Sequence, residues 1–191
     1  MAPGEQAGGD WGVATYGDPC TGCGFGWHRS LDDAVLVVSE VPDTYSQVLA
    51  GATGRERHPD LAWSVSAYVC HVGDNLRIWA ERLAGIARGA PAEVGGYDET
   101  ALGEARGYGG IPLPSALWSL RRSVVDWLEV VGATPERGTV LVHPERGPQS
   151  LGDVARSNAH DAYHHRSDIQ RSLDHRAGRR RARPDEVDNH E

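Results

Sequence analysis

The stretch LAWSVSAYVCHVGDNLRIWAERLAGIAR, residues 61–88, decides the fold class. On a helix, where successive residues turn by about 100°, its large apolar side chains gather on one face. Pro59 and Asp60 precede the stretch as a start signal, and Gly89 follows it as a stop. The pattern predicts a long amphipathic helix that faces a core. Its apolar positions are Leu61, Val65, Tyr68, Val69, Val72, Leu76, Trp79, Leu83 and Ile86.

Three further stretches carry helical patterning between Gly- and Pro-rich segments, at about 30–52, 113–132 and 150–174. Four long helices joined by short to medium loops make an all-α four-helix bundle the simplest architecture. Residues 138–149, GTVLVHPERGPQ, add a short extended segment before the last helix, either a small hairpin or a connector. The Gly-rich residues 90–112 are expected to form a long crossover or lid.

Length and composition indicate one domain with unstructured ends. The 191 residues suit a single compact domain, which we place at residues 20–175. The Gly-rich residues 1–19 and the charged tail at 176–191 are expected to be disordered. The tail begins with the basic run RAGRRRARP and continues with DEVDNHE, a mixture that favours a solvated tail over a nucleic-acid arm.

Composition also argues against several classes of partner. The formal net charge of −8 disfavours nucleic acid, because phosphate binding needs a basic surface. No apolar run approaches the roughly 18 residues of a membrane span. The N-terminus lacks the basic start and apolar stretch of a secretory signal. We therefore expect a cytoplasmic protein with neither a nucleic-acid nor a membrane partner.

The segment SNAHDAYHHRSDIQ, residues 157–170, concentrates imidazoles on the predicted last helix. His160 and His164 are four residues apart, so they share a helical face at about 6 Å and could bind one metal ion. An exposed polar face would show the same spacing. His71 on the second helix is a candidate third ligand, although taken by itself it is better explained as a partly buried histidine bonded to a neighbour.

Carboxylates accompany these histidines. Asp74 lies three residues after His71, and Asp168 lies four after His164, so each could fix an imidazole tautomer. The segment HDAYH also reads as HDxxH, in which Asp161 replaces the glutamate of the HExxH zinc peptidases. The shorter acid and the lack of an obvious third ligand downstream count against a peptidase. Asp74 and Asp161 nevertheless stand as candidate catalytic carboxylates.

Two motifs taken together resemble the DinB/YfiT-like superfamily of four-helix bundles. VCHVGDNL at residues 69–76 is similar to the second helix of that family, and LGDVARSNAHDAYHHRSDI at 151–169 is similar to the last. The opening CTGCGF at 20–25 resembles a subset of its members. The order and spacing of these short motifs carry the resemblance.

The resemblance implies a metal site and a class of reaction. The implied ligands are His71, His160 and His164, with His165 as a neighbour. The implied metal is Zn²⁺ or Ni²⁺ with a coordination position open to water or a thiol. Several members of the family resemble thiol S-transferases or isomerases that use mycothiol or bacillithiol. All basic residues here are arginine, a bias that suggests a GC-rich genome and hence mycothiol.

On this resemblance we expect a metal-dependent thiol S-transferase that acts on a small electrophile with mycothiol as co-substrate. A bound metal would hold the thiol as a reactive thiolate. Two alternatives stay open: a hydrolase that uses a metal-bound hydroxide, and a non-catalytic stress or binding module. Related bundles often pair, so a homodimer is expected.

The cysteines offer a further candidate site. Cys20 and Cys23 form a CxxC, a spacing used by structural zinc knuckles and by redox pairs. Cys70 lies opposite the apolar stripe of the second helix, where the N-terminal segment could fold over it. Three outcomes stay open: a three-thiolate zinc site completed by His28 or His58, a disulfide within the CxxC, and three unlinked thiols.

Overall fold

The structure, a computed structural model, describes residues 11–136 and 138–182. It confirms the predicted all-α four-helix bundle, with one small antiparallel hairpin before the last helix. The four members of the bundle are α2 with α3, then α4, α6 and α7. The α-helices and strands in the described residues are α1 (Trp11–Tyr16), α2 (Leu31–Ser39), α3 (Val41–Val48), α4 (Val65–Ala87), α5 (Glu99–Ala105), α6 (Leu113–Ala133), β1 (Thr139–His143), β2 (Gly147–Ser150) and α7 (Leu151–Ala182).

Helix α4 forms in the stretch that predicted it, but it begins at Val65 rather than near Leu61. Ser64 has extended backbone angles, and its side-chain oxygen accepts the backbone N–H of Ala67, which caps the first turn. Residues 65–76 are all buried. They are covered because α6 and α7 both pack against α4.

The first predicted helix, 30–52, is divided at Glu40 into α2 and α3. Pro42 lies in the first turn of α3, where its missing N–H breaks no helical hydrogen bond. A proline inside one continuous helix would clash with the preceding turn, so the break falls just before it. Helix α2 itself starts at a capping box, in which the Ser30 side chain accepts from Asp33 N–H and the Asp33 carboxylate accepts from Ser30 N–H.

The hairpin leads directly into α7. Strands β1 and β2 pair antiparallel, with His143 opposite Gly147. A second capping box starts α7, since Ser150 and Asp153 each accept the backbone N–H of the other. The helix runs for 32 residues to Ala182, beyond the predicted end. None of the helices in the described residues combines the length and the apolar character that crossing a bilayer requires.

Part of each end that we expected to be disordered is helical, and at the C-terminal end α7 continues to Ala182. Helix α1 forms within residues 1–19, and its Tyr16 ring stacks on Trp27 with the centroids 6.0 Å apart. Gly12 fits beneath Trp27, because a Cβ there would lie 2.2 Å from that ring. The aromatic side chains thus give this glycine-rich segment apolar surface to bury. The remaining parts of both predicted ends, residues 1–10 and 183–191, lie outside the described residues.

Two linked hydrogen bonds in the core help to set the rotation of α7 about its axis relative to α4 and α6. Trp127 Nε1–H on α6 donates to Asn158 Oδ1 at 2.9 Å. The amide of Asn158 in turn donates to Asn75 Oδ1 on α4 at 2.7 Å. All three side chains are buried, so each bond is costly to break. These hydrogen bonds hold the Asn158 face of α7 toward α4.

Candidate metal centre

Helices α4 and α7 bring together His71, Asp161 and His165, which we call the His-Asp-His cluster. His71 Nε2 lies 3.3 Å from Asp161 Oδ1, and His165 Nε2 lies 3.5 Å from the same oxygen. The two imidazole rings are nearly perpendicular, with centroids 4.8 Å apart. One ligand atom from each residue lies within 4.8 Å of the other two. From this arrangement three side chains can coordinate one divalent ion.

Neighbouring charges set the protonation of this cluster. Burial opposes ionisation of Asp161, but His71 and His165 outweigh it and hold the pKa of that carboxyl far below its usual range. Burial also opposes protonation of His165, yet Asp161 and Asp168 raise the pKa of its imidazole to about 9. Without a metal, His165 therefore carries a proton at neutral pH. A divalent ion would take the place of that positive charge.

Asp161 has a second oxygen that nothing in the described part of the chain satisfies. Its Oδ2 is buried and has no hydrogen-bond partner there. A buried carboxylate oxygen without a partner is costly, and a coordinated cation would supply one. Two imidazoles and one carboxylate suit Zn²⁺ and neighbouring transition metals. Three protein ligands also leave a coordination position for a reactant, so the residues present fit a catalytic metal.

Asp168 orients His165 from the side away from the cluster. Its Oδ2 lies 3.1 Å from His165 Nδ1, so the Nδ1–H faces Asp168 while Nε2 faces Asp161. Outer carboxylates of this kind fix the ring orientation of metal-binding histidines. From the sequence spacing we expected Asp168 to fix the tautomer of His164 instead. Their closest contact, from Oδ2 to Nε2, is 3.8 Å, which is too long for a hydrogen bond.

The predicted ligands His160 and His164 lie in a different group, together with Cys20 and Cys23, which we call the Cys-His cluster. His164 Nδ1 lies 3.7 Å from Cys20 Sγ. Burial lowers the pKa of His160 to about 4 and also lowers that of His164, so both imidazoles are neutral at physiological pH. Neutral imidazole is the form that binds metals.

The structure therefore divides the three histidines expected to form one site. His71 meets Asp161 and His165, whereas His160 and His164 face the segment after α1. Helix α7 carries two pairs at i, i+4 spacing, offset by one residue and hence by about 100° around the axis. Spacing alone does not choose between these pairs. The pair Asp161 and His165 is visible in the sequence as an acid and an imidazole four residues apart, yet the family resemblance implies His165 only as a neighbour.

Asp74, the other candidate catalytic carboxylate, serves a different contact. Its Oδ2 accepts a hydrogen bond from the Tyr108 hydroxyl at 2.5 Å and lies 2.8 Å from Arg106 Nε. These partners belong to the connection between α4 and α6, so Asp74 attaches that connection to the bundle. Its other oxygen lies 3.4 Å from Arg77 Nε on α4, so its ion-pair and hydrogen-bond partners do not include His71.

Only two of the three cysteines meet. All three are free thiols, and Cys20 and Cys23 share the Cys-His cluster. Cys70 is buried elsewhere on α4, and burial raises the pKa of its thiol to about 11. Neither His28 nor His58, the expected fourth ligands, belongs to a cluster of metal-ligand groups in the described residues.

A cavity of about 520 Å³ is linked to the His-Asp-His cluster through Trp63, although none of the three cluster residues lines it. Trp63 forms part of its wall and also packs on His71, with the ring centroids 4.8 Å apart. Arg55 and Arg57 line the same cavity, and Tyr108 closes another side. The volume falls within the range of small-molecule sites. Glu104 also lines it, so the wall carries two positive charges and one negative charge.

Comparison with known proteins agrees with this architecture. The chain matches the family described as the DinB superfamily over residues 15–169. Among solved structures it is similar to YfiT from Bacillus subtilis, described as "a probable metal-dependent hydrolase with an unusual four-helix bundle topology". The TM-score is 0.63 at 20% sequence identity, with 78% of this chain and 87% of the YfiT chain covered, a level at which the similarity concerns the fold. No curated protein matches the chain.

Proposed function

This chain belongs to the DinB superfamily, and on that premise we propose that it is a metal-dependent enzyme, most simply a hydrolase, whose metal ion is held by His71, Asp161 and His165. One observation carries the proposal. Both histidine Nε2 atoms converge on one oxygen of Asp161, and the other oxygen of that carboxylate is buried without a partner in the described part of the chain. Zn²⁺ or Ni²⁺ suits this donor set.

When bound, a divalent ion lowers the pKa of a coordinated water or thiol and thereby supplies a nucleophile at neutral pH. The side chains of the protein position and shield the reacting groups. His71 and His165 offer nitrogen donors, and Asp161 offers a negative oxygen. Asp168 holds the His165 ring through its contact with Nδ1. Trp63 covers His71 on the side of the cavity and limits the access of bulk water.

The ligand set supports a hydrolase best. Two histidines and one carboxylate are the zinc ligands of thermolysin and carboxypeptidase A, both of which hydrolyse peptide bonds. In such a reaction the oxygen of water bonds to the carbonyl carbon, the bond to the leaving group breaks, and a proton passes to the leaving group. Arg55 and Arg57 in the cavity wall favour a small substrate that carries an anionic group. The description of YfiT as a probable metal-dependent hydrolase is in keeping with this choice.

A thiol S-transferase is the second candidate, favoured by the size of the neighbouring cavity. About 520 Å³ is far more than a water molecule needs, and it could hold part of a low-molecular-weight thiol such as mycothiol beside a small electrophile. The sulfur would form a bond to the electrophilic carbon while the leaving group departs with its bonding electrons. The motifs at 69–76 and 151–169 resemble the DinB/YfiT-like superfamily, several members of which resemble thiol S-transferases, and this supports the same candidate.

Metal content tests the site itself. Full-length protein is loaded with Zn²⁺, dialysed, and analysed by inductively coupled plasma mass spectrometry. We expect His71→Ala and Asp161→Asn to carry one metal equivalent less than the wild type. His175→Ala is the matched control, because His175 lies on α7 outside both clusters. Equal metal content in His71→Ala and wild type would contradict the proposal and favour a non-catalytic binding module.

Spectroscopy separates the two reactions. Mycothiol is added to cobalt-substituted protein, and the difference spectrum is recorded against the same protein without thiol. A new sulfur-to-cobalt charge-transfer band that Asp161→Asn lacks would support the S-transferase. Turnover of small carboxylic esters without any such band, lost in Asp161→Asn, would support the hydrolase. Recording a difference spectrum removes any band that the protein's own cysteines contribute.

A further inference from the structure

The Cys-His cluster joins two segments that are far apart in the sequence. Cys20 and Cys23 lie in the loop after α1, and His160 and His164 lie near the middle of α7. One ligand atom from each of the four side chains lies within 4.8 Å of the other three. This cluster contributes no ligand to the His-Asp-His cluster, so a role for it is independent of the proposed function.

The loop at residues 20–25 turns both thiols toward α7. Gly24 N–H donates to the Cys20 carbonyl at 2.7 Å, and Cys20 N–H donates to the Phe25 carbonyl at 2.8 Å, so the backbone closes tightly around the pair. Gly24 has φ of +80°, a conformation that glycine adopts without steric cost. The sulfur atoms of Cys20 and Cys23 lie within 4.8 Å of each other. Both sulfur atoms are therefore presented together.

Gly22 allows the ring of His164 to enter this loop. A Cβ at position 22 would lie 2.8 Å from His164 Cε1, closer than two carbon atoms can approach. His164 Nδ1 lies 3.7 Å from Cys20 Sγ. In a tetrahedral zinc site, bond lengths of about 2.3 Å to sulfur and about 2.05 Å to nitrogen place these donors about 3.6 Å apart. The observed separation matches that edge of the tetrahedron.

His160 is buried without a hydrogen bond to its Nε2. The residue is 5% exposed, and this ring nitrogen has no partner in the described part of the chain. The rings of Tyr16, Phe25 and Trp27 surround the imidazole, with centroid distances of 4.6, 5.4 and 4.5 Å. Burying a polar ring among aromatic side chains is costly unless a partner binds it. A metal ion shared with the two thiols and His164 would be such a partner.

We propose that Cys20, Cys23, His160 and His164 bind a structural Zn²⁺ ion. Two sulfur and two nitrogen donors form the ligand set of closed tetrahedral zinc sites, which leave no position for a substrate. A disulfide between Cys20 and Cys23 would leave the Nε2 of the buried His160 without a partner, and both cysteines are free thiols here. The ion ties the segment after α1 to α7, at the turn that also carries Asp161 and His165.

Mercurial titration tests the proposal, because mercury displaces zinc from thiolates but not from histidine and carboxylate ligands. Zinc-loaded full-length protein is titrated with p-hydroxymercuribenzoate under argon, and the released zinc is measured with a colorimetric chelator. We expect one equivalent of released zinc from the wild type and from His71→Ala, and none from Cys23→Ser. Cys70→Ser is the matched control, because it removes the one thiol outside the cluster, and it should release the full equivalent.

Several results would overturn the proposal. These are wild-type protein that releases no zinc, Cys23→Ser protein that still releases a full equivalent, and Cys70→Ser protein that releases none. If Cys23→Ser does not fold, cobalt-substituted wild-type protein decides the question. A sulfur-to-cobalt charge-transfer band that persists in His71→Ala supports the site, and its absence from the wild type contradicts it. Loss of metal from the His-Asp-His cluster alone would leave this result unchanged.

Discussion

His164 and His165 are adjacent in the chain, yet their side chains serve different clusters. Their ring centroids are 5.5 Å apart and their planes lie at 87°. His164 turns Nδ1 toward Cys20, while His165 turns Nε2 toward Asp161. Adjacent helical residues diverge by about 100°, so one turn of α7 supplies ligands to two separate clusters.

Substitution of the two neighbours should therefore remove two different metal ions. We expect His165→Ala to lose the ion at the His-Asp-His cluster together with enzyme activity, and to keep the zinc that mercurials release. His164→Ala should lose the zinc that mercurials release and keep the ion at the His-Asp-His cluster. Metal analysis combined with mercurial titration on both variants measures this. Loss of the same equivalent from both variants would show that the clusters are not independent.

Removal of Asp168 should weaken metal binding at the His-Asp-His cluster, although Asp168 is not one of the proposed ligands. Asp168→Ala takes away the carboxylate that faces His165 Nδ1 at 3.1 Å, and such outer carboxylates typically contribute about 10–100-fold in metal affinity. Competition with a chelator of known affinity measures the change. Asp174→Ala, an exposed position further along α7, serves as the control and should leave the affinity unchanged. An unchanged affinity in Asp168→Ala would mean that His165 needs no outer partner.

A single methyl group at position 22 should open the Cys-His cluster. Gly22→Ala places a Cβ 2.8 Å from His164 Cε1, so the ring or the loop must move. We expect loss of the mercurial-sensitive zinc and a lower Tm, with the metal at the His-Asp-His cluster retained. Gly132→Ala is the control, since a Cβ there meets no atom within 4 Å and the residue is helical. A Gly22→Ala protein that binds zinc as tightly as the wild type would contradict the close approach.

The buried polar chain between α6, α7 and α4 should be important for stability. Asn158→Ala leaves Trp127 Nε1–H and Asn75 Oδ1 without their partners inside the core. We expect the free energy of unfolding to fall by about 2–6 kcal/mol, since two buried polar groups are left unpaired and each costs about 1–3 kcal/mol. Urea unfolding measures it. Gln170→Ala, an exposed substitution on the same helix, should change stability by less than about 0.5 kcal/mol; an equally small loss in Asn158→Ala would show that water replaces the missing amide.

Apolar periodicity was sufficient to predict the bundle, because burying one stripe of each helix is a local property of the sequence. The stripe along residues 61–88 faces the core as expected, and the hairpin before α7 forms where a short extended run predicted it. Helix boundaries were less predictable, since they depend on caps such as Ser64 and on the break before Pro42. Helix α1, within the first 19 residues, was not predicted because Tyr16 and Gly12 both pack against Trp27, which lies in the following loop.

Spacing along the chain was enough to show that His160 shares a helical face with His164 and that Asp161 shares one with His165. The CxxC spacing likewise showed that Cys20 and Cys23 lie close together, in a loop. Which partner each of these pairs meets depends on how the helices pack. The rotation of α7 about its axis is set by packing and by buried bonds such as that from Asn158 to Asn75. Because a step of one residue turns a helix by about 100°, that rotation alone places His71 beside Asp161 and His165 and leaves the other pair to the cysteines.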